Sequence, residues 1–468
     1  MKKQDKLLLV GGDIATPDVI AYCKELGVYT IMTNDLPYEN NPFKQMADEA
    51  WEIPVEELDI LEAKCREVGV TAVFAGVNEH NLDMTKALAE RLGLPFYASD
   101  EAWACTRDKG RFKEHCAAVG LDVPKRYKLD ESFTPEDLAK ISYPVMVKPA
   151  DGCGSRGLSL CNCEADIKQA YKKAKSFSRS GEVIVEDYID GIDVIFTYSL
   201  IDQKPVIHQI DVCYPVKLNG RRTIGVGAPS KEFEEDFEKK HSSDIERLFD
   251  RLGIKLGSLN IQTVFKNGRY YVYEMGYRLE GAPIWKSLKV KHGSSPLEML
   301  VDIQLGRKLR DWRKVGGIGA AFVPVGGYFV YCNPGKIHKI TGLDELKAIN
   351  GVSISLNRYK EGDVVEVSEN MFNVAFVLMV AAKDASERVG LLKRINDTIH
   401  FYDENGNDML NYFEDYYMLE NGIESLGLAP ILVVCCCDEL VNAIGGIWMR
   451  RSESGGRWWS STTAVFPV

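Results

Sequence analysis

The chain has 468 residues, 45% of them hydrophobic, and a formal net charge of −11. This length exceeds what one hydrophobic core supports, so roughly two to four domains are expected. The acidic balance argues against general nucleic-acid binding. No stretch reaches the ~18–20 apolar residues of a membrane span. Twelve cysteines without regular spacing favour the reducing cytosol. We expect a cytoplasmic, multidomain globular protein.

Residues 1–97 alternate short apolar runs with amphipathic segments. The predicted elements are strands at 6–10, 28–33 and 71–76 and helices at 17–26 and 84–92. Alternation of this kind is typical of a parallel sheet with flanking helices. We therefore predict an N-terminal Rossmann-like α/β domain. Asp35, Asn78 and Glu79 lie at its strand ends and are weak candidates for substrate contact.

A second unit begins at Ser99-Asp100, a good helix cap that follows the break at residues 93–95. The helix predicted after this cap carries the charged residues Arg107, Asp108, Lys109, Arg111 and Lys113. Charged clusters on helices usually face solvent. Lys109 therefore becomes a candidate only together with the stretch that follows.

The stretch 143–157, YPVMVKPADGCGSRG, combines a buried strand, a lysine and a glycine-rich turn. Residues 145–147 predict a strand that ends at Lys148, where an ammonium group needs a negative partner. Gly152, Gly154 and Gly157 let backbone N–H groups face an anion. A second strand at 158–160 makes this a hairpin, unlike the strand-to-helix turn of a dinucleotide fingerprint. A phosphate cradle is predicted, and a plain glycine-rich turn is the alternative.

The next part of the chain supplies paired strands with polar ends. Strands are predicted at 183–186, 194–200, 206–212, 258–265 and 269–274, with a helix at 165–175. Asn267-Gly268 predicts a tight hairpin, which pairs the strand of Gln262 with that of Glu274. With Arg278 close behind, these residues could bind a cation and an anionic substrate. A solvated sheet face is the alternative.

Taken in order, these motifs resemble the ATP-grasp superfamily over residues 1 to about 419. The matching pieces are a helix lysine, VKPADGCGSRG, the VEDYIDG segment and a strand pair that ends in EMGYR. The resemblance implies a multidomain α/β and α+β fold. Its parts would be a Rossmann-like pre-ATP-grasp domain (1–97), an ATP-grasp domain (98–306) with a mobile lid at 123–189, and a small β-rich α+β C-terminal domain (307–419). Residues 420–468 form a tail without an assigned role.

The resemblance also implies a role for each matching residue. ATP phosphates would be held by Lys109, Lys148 and the loop residues Gly152, Gly154, Ser155 and Gly157. Glu186, Asp187 and Ile189 match the adenine-binding hinge, and Asp193 stands where the family usually has a ribose-binding glutamate. Gln262 and Glu274 match the ligands of Mg²⁺ (or Mn²⁺), and Arg278 matches the arginine that steadies the acyl phosphate or its precursor. Arg278 and Lys148 are the catalytic candidates.

The implied reaction is ATP-dependent ligation of a small carboxylic acid to an amine through an acyl phosphate, with release of ADP and phosphate. The C-terminal pattern is similar to that of L-amino-acid ligases, so amino acids are candidate substrates, with specificity placed partly in a loop at 214–230. A bicarbonate-activating enzyme, like biotin carboxylase or carbamoyl phosphate synthase, is the alternative. The family's usual EXNXR has Gly276 in place of asparagine, which leaves a third reading, a nucleotide-binding protein without turnover. A homodimer is the family's common habit.

Overall fold

The N-terminal part of the chain forms a parallel four-stranded sheet. The computed structural model describes residues 4–151, 156–201, 204–218, 221–309, 324–367, 373–421 and 433–434. The first elements are β1 (Lys6–Val10), α1 (Thr16–Leu26), β2 (Tyr29–Thr33), a 3₁₀ turn (Tyr38–Asn40), α2 (Pro42–Met46), β3 (Glu49–Trp51), α3 (Leu58–Val68), β4 (Ala72–Phe74) and α4 (Glu79–Leu92). The strands lie in the order β3-β2-β1-β4 and pair in parallel. Leu7, Leu8 and Leu9 are buried, because such a sheet is covered on both faces.

Two helices begin at other residues than the sequence predicts, because polar side chains cap their first turns. Helix α4 begins at Glu79 instead of residue 84, because the Asn78 side chain accepts the Asn81 N–H. The single charged helix predicted after Ser99 is two helices, α5 (Asp100–Arg107) and α6 (Lys109–Ala118). Asp108 between them is extended and caps α6. A side-chain cap satisfies the unpaired N–H groups at a helix start, and here it places Lys109 in the first turn of α6.

Residues 126–187 form a small antiparallel sheet with its own core. Its elements are β5 (Arg126–Tyr127), α7 (Pro135–Leu138), β6 (Val145–Pro149), β7 (Ser159–Cys161), α8 (Glu164–Phe177) and β8 (Val183–Asp187). The strand order is β5-β8-β6-β7. β6 and β7 form the predicted hairpin. Side chains from both sheet and helix, such as Val147, Ile167 and Val185, make a hydrophobic cluster separate from the main core.

The central part of the chain builds half of a ten-stranded sheet. Its elements are β9 (Ile192–Ile201), β10 (Lys204–Leu218), β11 (Arg221–Pro229), α9 (Lys231–Leu252), β12 (Gly257–Lys266), β13 (Arg269–Gly276), α10 (Trp285–His292) and α11 (Pro296–Gln304). β12 and β13 form the hairpin predicted at Asn267-Gly268, where both residues have positive φ. The prediction of a loop at 214–230 is wrong, because most of this segment belongs to the paired strands β10 and β11.

The C-terminal part of the chain continues the same sheet. Its elements are β14 (Val325–Cys332), β15 (Gly335–Lys336), β16 (Lys339–Thr341), α12 (Leu343–Lys347), β17 (Val352–Asn357), β18 (Val364–Val365), β19 (Val374–Ala381), α13 (Ala385–Asn396), β20 (His400–Tyr402), β21 (Leu410–Asn411), α14 (Tyr416–Asn421) and β22 (Val433–Val434). The main order is β13-β12-β9-β10-β11-β14-β19-β17, and β21 and β22 pair with β14 and β11. Apart from 420–421 and 433–434, the predicted tail lies outside the described residues.

The two faces of the ten-stranded sheet differ in character. Val194, Phe196 and Tyr198 belong to the main hydrophobic core, and Phe196 stacks on Phe237 of α9 with 3.8 Å between ring centroids. Side chains alternate along a strand, so Asp193 and Thr197 point to the opposite face. This opposite face carries the polar residues of the candidate site. Among the described residues, no helix combines the length and apolar composition needed to cross a bilayer.

Candidate functional site

Lys148 has the negative partner that its position at the end of a buried strand requires. Its Nζ lies 2.5 Å from Glu186 Oε1, and Lys113 on α6 contacts the other oxygen of the same carboxylate. All three side chains are buried. Burial opposes ionisation of Glu186, but Lys148 and Lys113 outweigh it and lower its pKa to about 2. Burial in turn lowers the pKa of Lys113 to about 8.

A second lysine contacts the predicted metal ligand. Lys109 Nζ lies 2.6 Å from Glu274 Oε1, and the Lys109 N–H donates to the Ala150 carbonyl at the base of the glycine-rich loop. Lys148 Nζ lies 5.8 Å from the ring centre of Tyr273, the residue before Glu274. The two lysines therefore converge on the end of β13 from two different elements.

Gln262 and Glu274 are brought together by strand pairing. They are direct partners in the β12–β13 ladder, so their side chains lie on the same sheet face. Gln262 is buried, and its Oε1 atom has no hydrogen-bond partner among the described residues. The described residues contain no group of three or more His, Cys, Asp and Glu that could hold a metal ion. One carboxylate with amide oxygens is a donor set that suits magnesium, and the unpaired Gln262 oxygen fits such a cation.

Arg278 joins this region to the N-terminal sheet. It is almost fully buried, and its Nε lies 3.2 Å from Glu79 Oε1. Glu79 also pairs with Arg107. Burial raises the pKa of Glu79, but Arg107, Arg278 and Lys109 outweigh this and lower it to about 2. Glu79, a weak candidate from its strand end, is thus part of the site.

The carboxylate of Asp13 links the ends of β1 and β4 beside this cluster. It accepts N–H groups from Ala15, Val77 and Asn78. Burial raises its pKa, although these donors and Arg278 act in the opposite direction. Asn78 therefore acts at this edge through its main chain and as the cap of α4. Asp35, the third strand-end candidate, is exposed.

The predicted hinge and ribose residues lie between the small sheet and β9. The Asp187 side chain accepts the Tyr127 hydroxyl at 2.6 Å, and the Asp187 N–H donates to Lys125. Ile189 follows β8 and is half-buried. Asp193 is buried and accepts the Tyr273 hydroxyl at 2.9 Å. Burial raises the pKa of Asp193 to about 7.

Only one end of the predicted phosphate loop lies within the described residues. Gly152, Gly154 and Ser155 fall outside them. Gly157 has φ +77°, and a Cβ there would lie 2.9 Å from both Pro149 Cγ and Phe177 Cβ. Glycine is therefore required at 157 for its conformation and for the close approach of β6 and α8.

Four residues of the site were not among the sequence candidates: Lys113, Arg107, Asp13 and Asn260, whose Oδ1 accepts a hydrogen bond from Gln262 Nε2. Lys113 follows Lys109 by one helical turn, and such residues share a helix face. Asn260 precedes Gln262 by two residues, and such residues share a strand face. These two spacings are signals that could have found them. The partners of Arg107 and Asp13 depend on contacts between distant parts of the chain.

Comparison with known proteins finds a family match over the part of the chain that carries most of the candidate site. Residues 108–284 match the family model described as carbamoyl-phosphate synthase L chain, ATP binding domain. A carbamoyl phosphate synthase large chain from Caldanaerobacter subterraneus subsp. tengcongensis is 23% identical over 398 residues, or 80% of this chain and 35% of that protein. The 2-oxoglutarate carboxylase small subunit of Hydrogenobacter thermophilus is 28% identical over 58% of this chain and 60% of its own length. The chain thus spans about a third of the synthase.

Two solved structures share the fold over most of the chain. An L-amino acid ligase from Bacillus licheniformis superposes with a TM-score of 0.70 at 19% identity, covering 86% of this chain and all of the ligase. The biotin carboxylase domain of 2-oxoglutarate carboxylase from Hydrogenobacter thermophilus, solved with MgADP and bicarbonate, superposes with a TM-score of 0.68 at 18% identity. It covers 91% of this chain and 95% of that domain.

Proposed function

Residues 108–284 match the carbamoyl-phosphate synthase L chain ATP binding domain, and from this match we propose that the chain is an ATP-dependent carboxylate–amine ligase of the ATP-grasp type. It would form an amide through an acyl phosphate and release ADP and phosphate. The observation that carries the proposal is the contact between Lys109 and Glu274 at 2.6 Å. This contact supports a phosphate-binding role for Lys109 and a magnesium-binding role for Glu274, with Lys148 and Arg278 on neighbouring elements.

The chemistry assigned to the site is mainly positioning and charge neutralisation. Lys109 and Lys148 bind phosphate oxygens. An oxygen of the substrate carboxylate attacks the γ-phosphorus, and the bond from phosphorus to the bridging oxygen of ADP breaks. Arg278 stabilises the resulting acyl phosphate. The amine nitrogen then attacks the acyl carbon, phosphate leaves with the C–O electron pair, and the nitrogen loses a proton to solvent.

Bound nucleotide would use the groups that the domain places around Lys148. Glu274 and Gln262 would hold magnesium, which neutralises triphosphate charge when it is bound. The ribose is assigned to Asp193, and the adenine edge to the main chain of Asp187 and Ile189. Glu186 stays part of the proposed hinge through its main chain, while its side chain is engaged by Lys113 and Lys148.

A cavity whose wall includes Glu280, two residues after Arg278, supports an amino acid as substrate. Asp211, Cys213, Glu280 and Phe329 contribute to its wall. Asp211 lies on the sheet face of Gln262, two strands away through Ile195, a separation of about 10 Å. Removal from water raises the pKa of Asp211 to about 6. The carboxylates of Asp211 and Glu280 in the wall of this cavity, whose volume is about 30 Å³, form a setting that suits an ammonium group.

A bicarbonate-activating reaction is the second candidate. It is favoured by the family model and by the synthase and carboxylase relatives. A homodimer is also proposed, since one structural neighbour is described as a domain dimer. Light scattering of the purified chain measures that state directly.

The test is release of ADP and phosphate from Mg-ATP with amino acids, singly and in pairs, with and without bicarbonate. Lys148→Ala removes a phosphate-binding group, and Lys172→Ala, an exposed lysine on α8, is the matched control. Release that requires a particular pair, and that only Lys148→Ala abolishes, supports the ligase. Release that requires bicarbonate alone supports the second candidate. ATP binding without release from any mixture overturns both.

A further inference from the structure

Gly276 and Asn260 occupy the same part of the sheet face. They are direct partners across β13 and β12. A Cβ built on Gly276 would lie 2.9 Å from Asn260 Nδ2 and 3.2 Å from Asn260 Oδ1. The space that a side chain at 276 would enter is therefore filled by the amide of Asn260. Only one of the two positions can place a side chain in this space unless the side chain at the other position moves.

The amide of Asn260 is buried and only partly hydrogen-bonded. Its Oδ1 accepts from Gln262 Nε2 at 3.2 Å. Asn260 Nδ2 and Gln262 Oε1 have no partner within the part of the chain that the structure describes, and both residues are essentially inaccessible to water. Leaving a buried polar group without a hydrogen bond is unfavourable. Two such groups side by side indicate that the amides face a polar ligand and do not serve packing alone.

Neighbouring strands extend the same pattern. Thr197 is the partner of Asn260 on β9, and Gln209 is the partner of Thr197 on β10. Thr197 Oγ1 and Gln209 Oε1 are also buried, and no described residue forms a hydrogen bond with either atom. Most buried polar groups in proteins are satisfied. These four residues, each with a side-chain atom that lacks a hydrogen bond among the described residues, thus form a polar row across three strands. The row lies on the sheet face where Lys109 meets Glu274.

We propose that Asn260 supplies, from the adjacent strand, the amide group that Gly276 lacks. This inference rests on the proposed binding of a magnesium nucleotide. Because the Asn260 oxygen accepts from Gln262, the pair offers the Gln262 oxygen and the Asn260 NH₂ group outward. The Gln262 oxygen, oriented by Asn260, binds the divalent cation beside Glu274, and the Asn260 NH₂ group donates to a phosphate oxygen.

The glycine at 276 then has a positive role. It keeps open the space that the Asn260 side chain occupies, so the absence of asparagine from the EMGYR motif does not indicate a degenerate site. An asparagine introduced at 276 alone would push Asn260 aside. Introduced together with Asn260→Ala, it would restore one amide at the same place.

The test is a double-mutant cycle read by binding of Mn²⁺ to the protein–ADP complex, followed by electron paramagnetic resonance. Asn260→Ala should weaken Mn²⁺ binding about 10–100-fold, a range typical for loss of a group that supports a metal site. Gly276→Asn alone should also weaken it, and Asn260→Ala with Gly276→Asn should recover most of the loss. Ser258→Ala is the control, since it removes a satisfied hydroxyl on the same strand. It should leave Mn²⁺ binding unchanged.

Asn260→Asp keeps the size of the side chain and should strengthen Mn²⁺ binding, which protects the test if the alanine variant folds poorly. Wild-type affinity in folded Asn260→Ala, or no gain in Asn260→Asp, overturns the role of Asn260. Failure of the proposed function has a different signature. In that case the wild-type chain binds Mn²⁺ and ADP but releases no phosphate with any substrate.

Discussion

Replacing Glu186 with glutamine should loosen the small sheet that carries Lys148. Glu186 on β8 lies between Lys113 of α6 and Lys148 of β6, and the exposed fractions of the three residues are 2%, 5% and 6%. Removing one partner of a buried ion pair leaves an uncompensated charge. In Glu186→Gln, two ammonium groups stay buried around a neutral amide.

The size of the effect follows from the pKa values. The pKa of Glu186 falls from 4.5 to about 2 in spite of burial, because of Lys148 and Lys113. One pH unit corresponds to about 1.4 kcal/mol, so the ionised carboxylate contributes about 3 kcal/mol. Burial lowers the pKa of Lys113 from 10.5 to about 8, which opposes folding by a similar amount at neutral pH. The cluster as a whole therefore adds little stability, and loss of Glu186 alone costs about 3–5 kcal/mol.

The pH dependence has a definite sign. A carboxyl whose pKa is lowered on folding stabilises the protein above its unfolded pKa and loses that effect as pH falls. For Glu186 the contribution is complete above about pH 4.5 and disappears towards pH 2. This part of the acid destabilisation should be absent from Glu186→Gln.

Amide hydrogen exchange of β6 and β8 measures local opening of this sheet. A loss of about 3 kcal/mol corresponds to roughly hundredfold faster exchange in Glu186→Gln at neutral pH. Lys113→Met is the matched variant, since it keeps the Glu186–Lys148 pair and removes a group whose burial opposes folding. Its exchange should change less than about tenfold. Exchange within about threefold of wild type in Glu186→Gln would refute the reasoning.

Two further variants probe the same region. Burial raises the pKa of Asp193 to about 7, so the stability linked to this group is present below its unfolded pKa and is lost as pH rises through 7. Asp193→Asn should therefore raise the melting temperature more at pH 8 than at pH 5, and an equal gain at both values would contradict this. Gly157→Ala should destabilise the small sheet by about 1–3 kcal/mol, because the new methyl group meets Pro149 and Phe177. Melting of Gly181→Ala, where only the end of a lysine side chain lies within 4 Å, is the comparison.

Local chemistry made much of the fold predictable. The apolar run at 145–147 and the Asn267-Gly268 turn each predict local structure from a few adjacent residues, and the structure contains both hairpins. Helix starts were less accurate, because Asn78 and Asp108 act as caps through single side-chain hydrogen bonds. Apolar spacing carries no information about such caps. The segment 214–230 was misread because its polar residues lie on paired strands whose partners are set by the whole sheet.

The sequence by itself identified many of the residues that form the candidate site. Lys109, Lys148, Gln262, Glu274 and Arg278 were candidates from motif order alone, and the β12–β13 turn already implied that the strands of Gln262 and Glu274 pair. Their roles towards a nucleotide and a cation stay predictions.

Only the tertiary structure decided what each charge meets. Lys113 reaches Glu186 across 73 residues of chain, and Arg278 reaches Glu79 across 199. Such contacts depend on how separate elements pack, and residue spacing along the chain does not encode them. The same holds for Asn260, whose amide fills the space beside Gly276 because strand register places the two residues opposite one another.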